Sequence, residues 1–393
     1  MQGSGHKHSS GSVSEVARLS LKLGLTAFGG PAAHIAMLRD EIVTRRGWMT
    51  DAYFLDLLAA TNLIPGPNST EMVIHAGHHR AGRRGLLVAG FLFILPAALI
   101  TLVFAWLYER YGSTPQLHAL LSGVKPVVIA VIVQAIWGLG RTIAGQLPLL
   151  GTAAIAFGLS LAGVNELIVL LGLGGVVMAT RVIAVRGDAR LFIALPAPLG
   201  LIHRAPELFP VLLAAVEPYS PARLLLKFLK IGATLYGTGY VLLAFLQQDF
   251  VEHLGWLTEQ QLLDAVAVGQ FTPGPVFSTA TFVGYLVGGW GGAILATIGI
   301  FLPAFLLVAV TQPLIPKLRQ SPWSAGFLDG VSAAALGMMA AVTLVLARSA
   351  IVGPFTLALA LLAALLLIRW RVNSAWLIVA GGALGIVGSL ANG

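Results

Sequence analysis

The residues of this chain best suited to chemistry occur in two copies. Pro65-Gly66-Pro67 and Pro273-Gly274-Pro275 each interrupt an apolar stretch. Each is followed by residues that can open a helix, Asn68-Ser69-Thr70-Glu71 in the first copy and Val276-Phe277-Ser278-Thr279 in the second. Proline cannot continue a helical ladder. The next helix start then leaves N–H groups without intrahelical partners, and the positive end of its dipole favours an anion. The hydroxyls of Ser69, Thr70, Ser278 and Thr279 add donors for the oxygens of such an anion. Lys22 and Lys230 are the only cations separated by the full 208-residue offset that relates the two copies, and a dianion in a low-dielectric site needs compensating charge. This chemistry is recognition of a compact, highly charged anion. The plainer readings are that Pro-Gly-Pro merely kinks a helix and that each lysine snorkels to the membrane interface.

Other polar residues carry weaker signals. Glu71 has no counterpart in the second copy, where Thr279 stands. It is either an intramembrane proton carrier or the partner of Asn68 in a capping box. Asp56 and Asp264 recur at matching positions, and either line a cavity or pack between helices. His34 matches Leu242 and reads as a polar group on its helix. His75 and His79 have the i, i+4 spacing of a metal pair, but no third ligand is near and the second copy lacks them, so no metal site is expected. No zinc-protease, nucleophile-elbow or nucleotide-loop signature is present. The sequence therefore predicts neither an enzyme nor a cofactor, and any transport must draw on an ion gradient, exchange or the substrate's own gradient.

The elements that must position these residues are membrane helices. Hydrophobic residues make up 57% of the 393 positions and charged residues 10%, against about 25% charged in soluble domains. Apolar runs long enough to span a bilayer recur at residues 86 to 107, 117 to 138, 166 to 184, 293 to 312, 327 to 347 and 374 to 391. The net charge of +8 resides in short loops between these runs, which indicates topology signals rather than a nucleic-acid surface. Cysteine is absent.

The two copies belong to a repeat with an offset of 208 positions, which also aligns Gly47-Trp48 with Gly255-Trp256. After a one-residue slip it aligns Gly77, Gly82, Gly85 and Pro96 with Gly284, Gly289, Gly292 and Pro303. The expected organisation is a disordered tail over residues 1–14, a first repeat over 15–186, a Pro-rich connection over 187–222 and a second repeat over 223–393. Each repeat has six apolar segments. Segment one is broken at Phe28-Gly29-Gly30-Pro31 and at Tyr236-Gly237-Thr238-Gly239. Segment two starts on Thr50 or Thr258 and stops at the Pro-Gly-Pro after about 14 residues, a rise of about 21 Å, too short to cross.

Arg39, Arg45 and Arg46 precede segment two of the first repeat and Arg80, Arg83 and Arg84 follow it, whereas the matching loops of the second repeat hold no Lys or Arg. Because Lys and Arg collect in cytoplasmic loops, segment two reads as a re-entrant hairpin. The expected fold is all-α and polytopic, with two inverted-topology repeats of broken and re-entrant helices and about five full crossings each, and both termini periplasmic. A rival scheme lets all six segments span, adds a crossing in the connection and puts the N-terminus inside. Leucine at Gly66 or Gly274 is expected to block function, and leucine at Gly381 to be far milder.

At Lys22-Leu-Gly-Leu-Thr-Ala-Phe-Gly-Gly-Pro31, at Ala33-His34-Ile35, at Pro65-Gly66-Pro67 and at their echoes through Thr272-Pro-Gly-Pro275, the chain resembles the chromate ion transporter family in its long, two-domain form. The resemblance covers about residues 15 to 390. It implies a multi-pass protein of the bacterial inner membrane that exports chromate and confers resistance, with sulfate as competitor or exchange ion. Proton coupling, and a monomeric or homodimeric unit, are left open. The second repeat departs from the motif at Thr238 and Gly239, so the halves need not contribute equally. The residues carried into the site are Lys22, Gly29, Gly30, Pro65 to Thr70, Lys230, Gly237, Thr238, Pro273 to Pro275, Ser278 and Thr279, with Glu71 as the proton-coupling candidate. The competing functions are a sulfate uptake carrier, a passive anion channel and an intramembrane enzyme acting on lipid phosphate. The last would need a paired carboxylate and metal site, which the sequence does not show.

Overall fold

The computed structural model describes residues 12–28, 30–61, 64–112, 114–186, 218–236, 241–311 and 322–392, and every regular element among them is helical. The all-α polytopic architecture is as expected. Helix α1 (Val13–Thr26) starts on Ser12, whose hydroxyl accepts a bond from the Ser14 N–H, so the last two residues of the expected tail are already helical. After a break, α2 (Gly30–Arg39) runs into a π-helical turn, Asp40–Arg45. Next come α3 (Asp51–Thr61), the first Pro-Gly-Pro and α4 (Asn68–Tyr111). Non-helical Ala81 and Gly82 divide α4 into pieces 68–80 and 83–111. The first half ends with α5 (Pro115–Ile143), α6 (Leu147–Leu161) and α7 (Glu166–Arg186).

The second half repeats this plan. It comprises α8 (Pro221–Thr234), α9 (Leu242–Leu246) with a π-helical turn at Gln247–His253, and α10 (Glu259–Phe271), capped by Thr258 and Gln261. After the second Pro-Gly-Pro, a 3-10 turn, Val276–Ser278, opens α11 (Thr279–Thr311), which is broken at Gly288 and Gly289. Helices α12 (Pro322–Ala350), α13 (Pro354–Arg369) and α14 (Ser374–Asn392) complete the chain.

Segment two is a re-entrant hairpin in both halves, as the arginines indicate. The Arg80 guanidinium at the end of piece 68–80 lies 5.4 Å from the Trp48 ring, and His79 Nε2 is 3.2 Å from the Trp48 carbonyl. Entry to and exit from the hairpin are therefore on one face.

Segment one corrects the expectation. Lys22 Nζ lies 2.7 Å from Glu41 Oε1, and Arg80 bonds Glu15 at 2.8 Å. Were α1 and α2 to continue across the membrane, a rise of about 1.5 Å per residue would hold Lys22 and Glu41 more than 20 Å apart. Helix α1 and α2 fold back on each other instead. Lys230 and Asp249 form the matching contact at 3.0 Å, so α8 and α9 fold back too.

Among the described residues this leaves piece 83–111, α5, α6 and α7 of the first half, and piece 290–311, α12, α13 and α14 of the second, as the apolar helices available to cross, with α6, α13 and α14 the shorter ones. With segment one folded back, the described helices supply four crossings per half rather than the five expected. Arg181 of α7 bonds Asp329 of α12 at 2.7 Å, and Ser349 at the other end of α12 bonds Glu259 at the start of α10. The Tyr219 and Trp256 rings meet edge to face, with centroids 5.9 Å apart. Helix α8 thus starts on the face opposite the end of α7. The halves are inverted, but the N-terminal helix starts on the arginine-rich face and the C-terminal helix ends on the other, so the two termini do not share a side. Residues 187–217 of the connection lie outside the described residues.

The halves also interlock. Helices α6 and α7 pack on α12, and α13 and α14 pack on α5. The α5–α14 contact is a close backbone approach. A Cβ at Gly381 would lie 2.7 Å from the Gly123 carbonyl oxygen, so leucine there is not the mild change expected from the sequence. Small residues let membrane helices approach this closely.

Candidate functional site

Two hairpins from each face meet at their tips. The Gly66 N–H donates to the Leu235 carbonyl at 2.6 Å, and the Gly274 N–H donates to the Ala27 carbonyl at 2.9 Å. Positions 27 and 235, and 66 and 274, are repeat mates, so each Pro-Gly-Pro is clasped by the broken first segment of the other half. Both glycines have positive φ, +146° and +89°, conformations that disfavour a side chain. A Cβ at Gly66 would collide with the Glu71 carboxylate, and one at Gly274 would lie 2.9 Å from the Ala97 Cβ.

The first tip is polar. Asn68, Ser69, Thr70 and Glu71 are all buried at the start of α4. His34 Nδ1 from α2 is 3.4 Å from Ser69 Oγ. Thr70 Oγ1 and both Glu71 carboxylate oxygens have no hydrogen-bond partner among the described residues. Pro67 is the N-cap of α4 and no side chain caps the helix, so the expected Asn68–Glu71 capping box does not form. Glu71 leans toward Gly66 instead, within electrostatic reach of Tyr236 from the other half. One turn further on, the His75 ring is fully buried and also unpartnered.

At the second tip the hydroxyls are already bonded. Leu242, Val276, Phe277 and Val283 replace His34, Asn68, Ser69 and His75. Ser278 accepts a bond from Thr101 at 3.2 Å, and Thr279 donates to the Val276 carbonyl at 2.8 Å. The polar groups of the shared centre therefore come from the first half.

Lys22 and Lys230 are not presented to this centre. Lys22 pairs with Glu41, which Arg46 also contacts. Lys230 pairs with Asp249 and Glu166, and Lys227 joins Asp249. Because 41 and 249 are themselves repeat mates, the lysines serve symmetric ion pairs that bind each first helix to the π-helical turn behind it. Asp264 packs between helices, accepting a hydrogen bond from Tyr108 at 2.9 Å and ion-paired with Lys125 at 3.3 Å. Of Asp56 only the helical backbone is described. His79 turns toward Trp48 and Tyr53, away from a shared ligand position with His75. Gly30 opens α2, while Gly29, Gly237 and Thr238 lie outside the described residues.

Sequence reasoning missed His34 and Tyr236 as neighbours of the tip. Position 34 is leucine in the other half, so the repeat that drew attention to Pro-Gly-Pro drew it away from His34.

The sequence profile of chromate transporters matches residues 14–179 and 222–386. The chain belongs to the chromate transporter family. Its two matched regions correspond to the two inverted halves. It is 31% identical to the chromate transport protein of Cupriavidus metallidurans over 387 residues, or 97% of this chain and 94% of that protein. It is 36% identical to the chromate transport protein of Pseudomonas aeruginosa over 338 residues, 84% of this chain and 79% of that one. An uncharacterized transporter of Methanocaldococcus jannaschii is 30% identical over 334 residues, 82% of each. No solved structure matches. This member of a transporter family is thus a multi-pass membrane protein built around four hairpin tips.

Proposed function

We propose that the protein is a secondary transporter that exports chromate across the bacterial inner membrane and so confers resistance. The observation that carries this reading is the polar first tip, where Ser69, Thr70 and the opening N–H groups of α4 are buried beside unpartnered Glu71. Chromate sits at the start of α4, taking hydrogen bonds from those N–H groups and from the Ser69 and Thr70 hydroxyls. The clasped Pro-Gly-Pro units keep backbone groups satisfied at membrane depth, which lipid cannot do. Relatives named as chromate transport proteins, aligned over most of the chain, support the substrate.

Glu71 sets the electrostatic condition. A dianion and an ionised carboxylate cannot share one buried tip without compensation, so Glu71 carries a proton while chromate is bound. The arginine-rich face is cytoplasmic. An inside-negative potential then drives the dianion outward with about 4.6 kcal/mol per 100 mV, twice the single-charge value. A proton leaving with chromate halves that. Sulfate, a tetrahedral dianion too, competes at the same donors.

The test is chromate uptake into inverted vesicles, normalised to protein amount, for the parental chain and Glu71→Gln. The expected result is potential-driven accumulation by both proteins, with the dependence on pH lost in the variant, because glutamine mimics the protonated carboxyl. Failure of the parental protein to accumulate chromate would sink the function. An inactive, correctly inserted Glu71→Gln would instead show that the carboxyl must release its proton during the cycle.

A further inference from the structure

The pseudo-symmetry of the halves exposes a difference between the two faces. On the arginine-rich face a cavity of about 690 Å³ runs in to Phe28, beside the first break, and is lined by Arg141, Arg371, Gln134, Trp137 and Ser374. Its counterpart on the opposite face is about 200 Å³, is lined by Gln247, Gln248, Glu252 and Gly163, and includes no Lys or Arg among its described lining residues. The loop between α13 and α14 matches that between α6 and α7 residue for residue. Asn373 and Asn165 are mates, and each accepts a bond from the backbone N–H two residues on, at 2.9 and 3.0 Å.

Two replacements within those matched loops make the difference. Where the first loop has Gly163 with φ of +75°, the second has Arg371 with φ of +53°, the one non-glycine residue with positive φ among those described. That conformation opposes a Cβ, so a residue kept there against its backbone preference points to a task for its side chain. Where the first loop has Glu166, paired with Lys230 and closing the opposite face, the second has Ser374. Neither Arg141 nor Arg371 forms an ion pair among the described residues.

We propose that Arg141 and Arg371 form an antechamber site for tetrahedral dianions, loaded from the cytoplasmic face before the anion reaches the hairpin tips. This rests on the proposed function, which supplies the dianion. Two guanidiniums in a polar, partly enclosed cavity focus negative charge and match oxyanion geometry better than ammonium groups do. The opposite vestibule, which has Glu252 and no arginine among its described lining residues, repels the same ions. The faces thereby differ in capture, although the helices around them are related by symmetry.

The test separates capture from transport. Sulfate is titrated into the purified protein at low ionic strength while tryptophan fluorescence is followed, with Trp137→Phe identifying the signal from the cavity. The parental protein is expected to show a saturable Trp137 response, which Arg371→Gly and Arg141→Gln each weaken about fivefold, as for a partly solvated charge contact. Arg348→Gln, at the repeat mate of Arg141 on the opposite face, leaves it unchanged. Arg371→Gly also places at this position the residue its backbone suits, so thermal stability holds or rises and misfolding does not explain a loss. In inverted vesicles both variants need more chromate for half-maximal uptake, with little change in the maximal rate. Parental sulfate response in both variants overturns the antechamber, as does the lack of any Trp137 response in the parental protein. Binding by a parental protein that transports no chromate would instead sustain the antechamber and refute the transport reading.

Discussion

Lys230→Gln should destabilise the protein far more than Lys22→Gln, although the two lysines are repeat mates. Lys22 has a side chain 48% exposed, and its partner Glu41 keeps contacts with Arg45 and Arg46 when the lysine is removed. Its loss resembles that of an exposed ion pair, at most about 1 kcal/mol. Lys230 is 25% exposed and faces two carboxylates, Glu166 at 0% and Asp249 at 1%. Lys227 still reaches Asp249 after the change, but Glu166 loses its cation in a buried setting, which costs about 3–5 kcal/mol. Thermal unfolding in detergent measures the difference, and Glu166→Gln added to Lys230→Gln should restore much of the loss. Chromate uptake by whatever folded protein remains should keep its parental concentration dependence. The tether reasoning is refuted if Lys230→Gln unfolds at the parental temperature. It is refuted equally if Lys22→Gln, undiminished in stability, needs about ten times more chromate for half-maximal uptake, a change of about 1.4 kcal/mol that would mark a direct ligand.

Two further outcomes follow from the hairpins. Single cysteines added to this cysteine-free chain near Arg45, Arg83 and Ser12 should all react with impermeant reagent from the cytoplasmic face. Those near Tyr219, Trp290 and Ala391 should react only from outside, and reaction of Ser12 from outside would restore a spanning α1. Gly66→Ala and Gly274→Ala should each lower transport at least tenfold through the strained φ at the clasp, whereas Gly151→Ala, with nothing within 4 Å of its Cβ, should transport normally; parental uptake by both clasp variants would show that the tips tolerate rearrangement.

What was legible in the sequence was whatever the repeat or the arginines marked. The 208-residue offset located the Pro-Gly-Pro tips, and the basic loops around segment two revealed its re-entry. The fold-back of segment one was not legible in the same way, because α1 and α2 with its π-helical turn are together long enough to span. One clue stands against spanning: a spanning α1 with a periplasmic N-terminus puts Arg18 on the poorly basic side, and the fold-back returns it to the basic one. The lysines illustrate a second limit. Lys22 and Lys230 looked like free symmetric cations because their carboxylates are distant in sequence, yet Glu41 and Asp249 share the same offset. Searching the repeat for matched opposite charges would have found the pairs. The asymmetry at the tip, with His34 and Glu71 on one side and Leu242 and Thr279 on the other, was written in the alignment. Only the burial of those side chains around one centre gives it meaning.

The interlocking of α5 with α14 and of α7 with α12 has a consequence in time. Helix α5 ends at Ile143, and the helix that covers its glycine face begins at Ser374. At about 5–20 residues per second of synthesis, the roughly 230 intervening residues take about 10 to 50 s to make. For that interval α5 lies in the membrane with a close-packing surface that no part of the nascent chain can yet fill. Completion of the C-terminal helix is therefore the event that closes the structure, and the ribosome's pace, rather than the folding rate of either half, determines when that occurs.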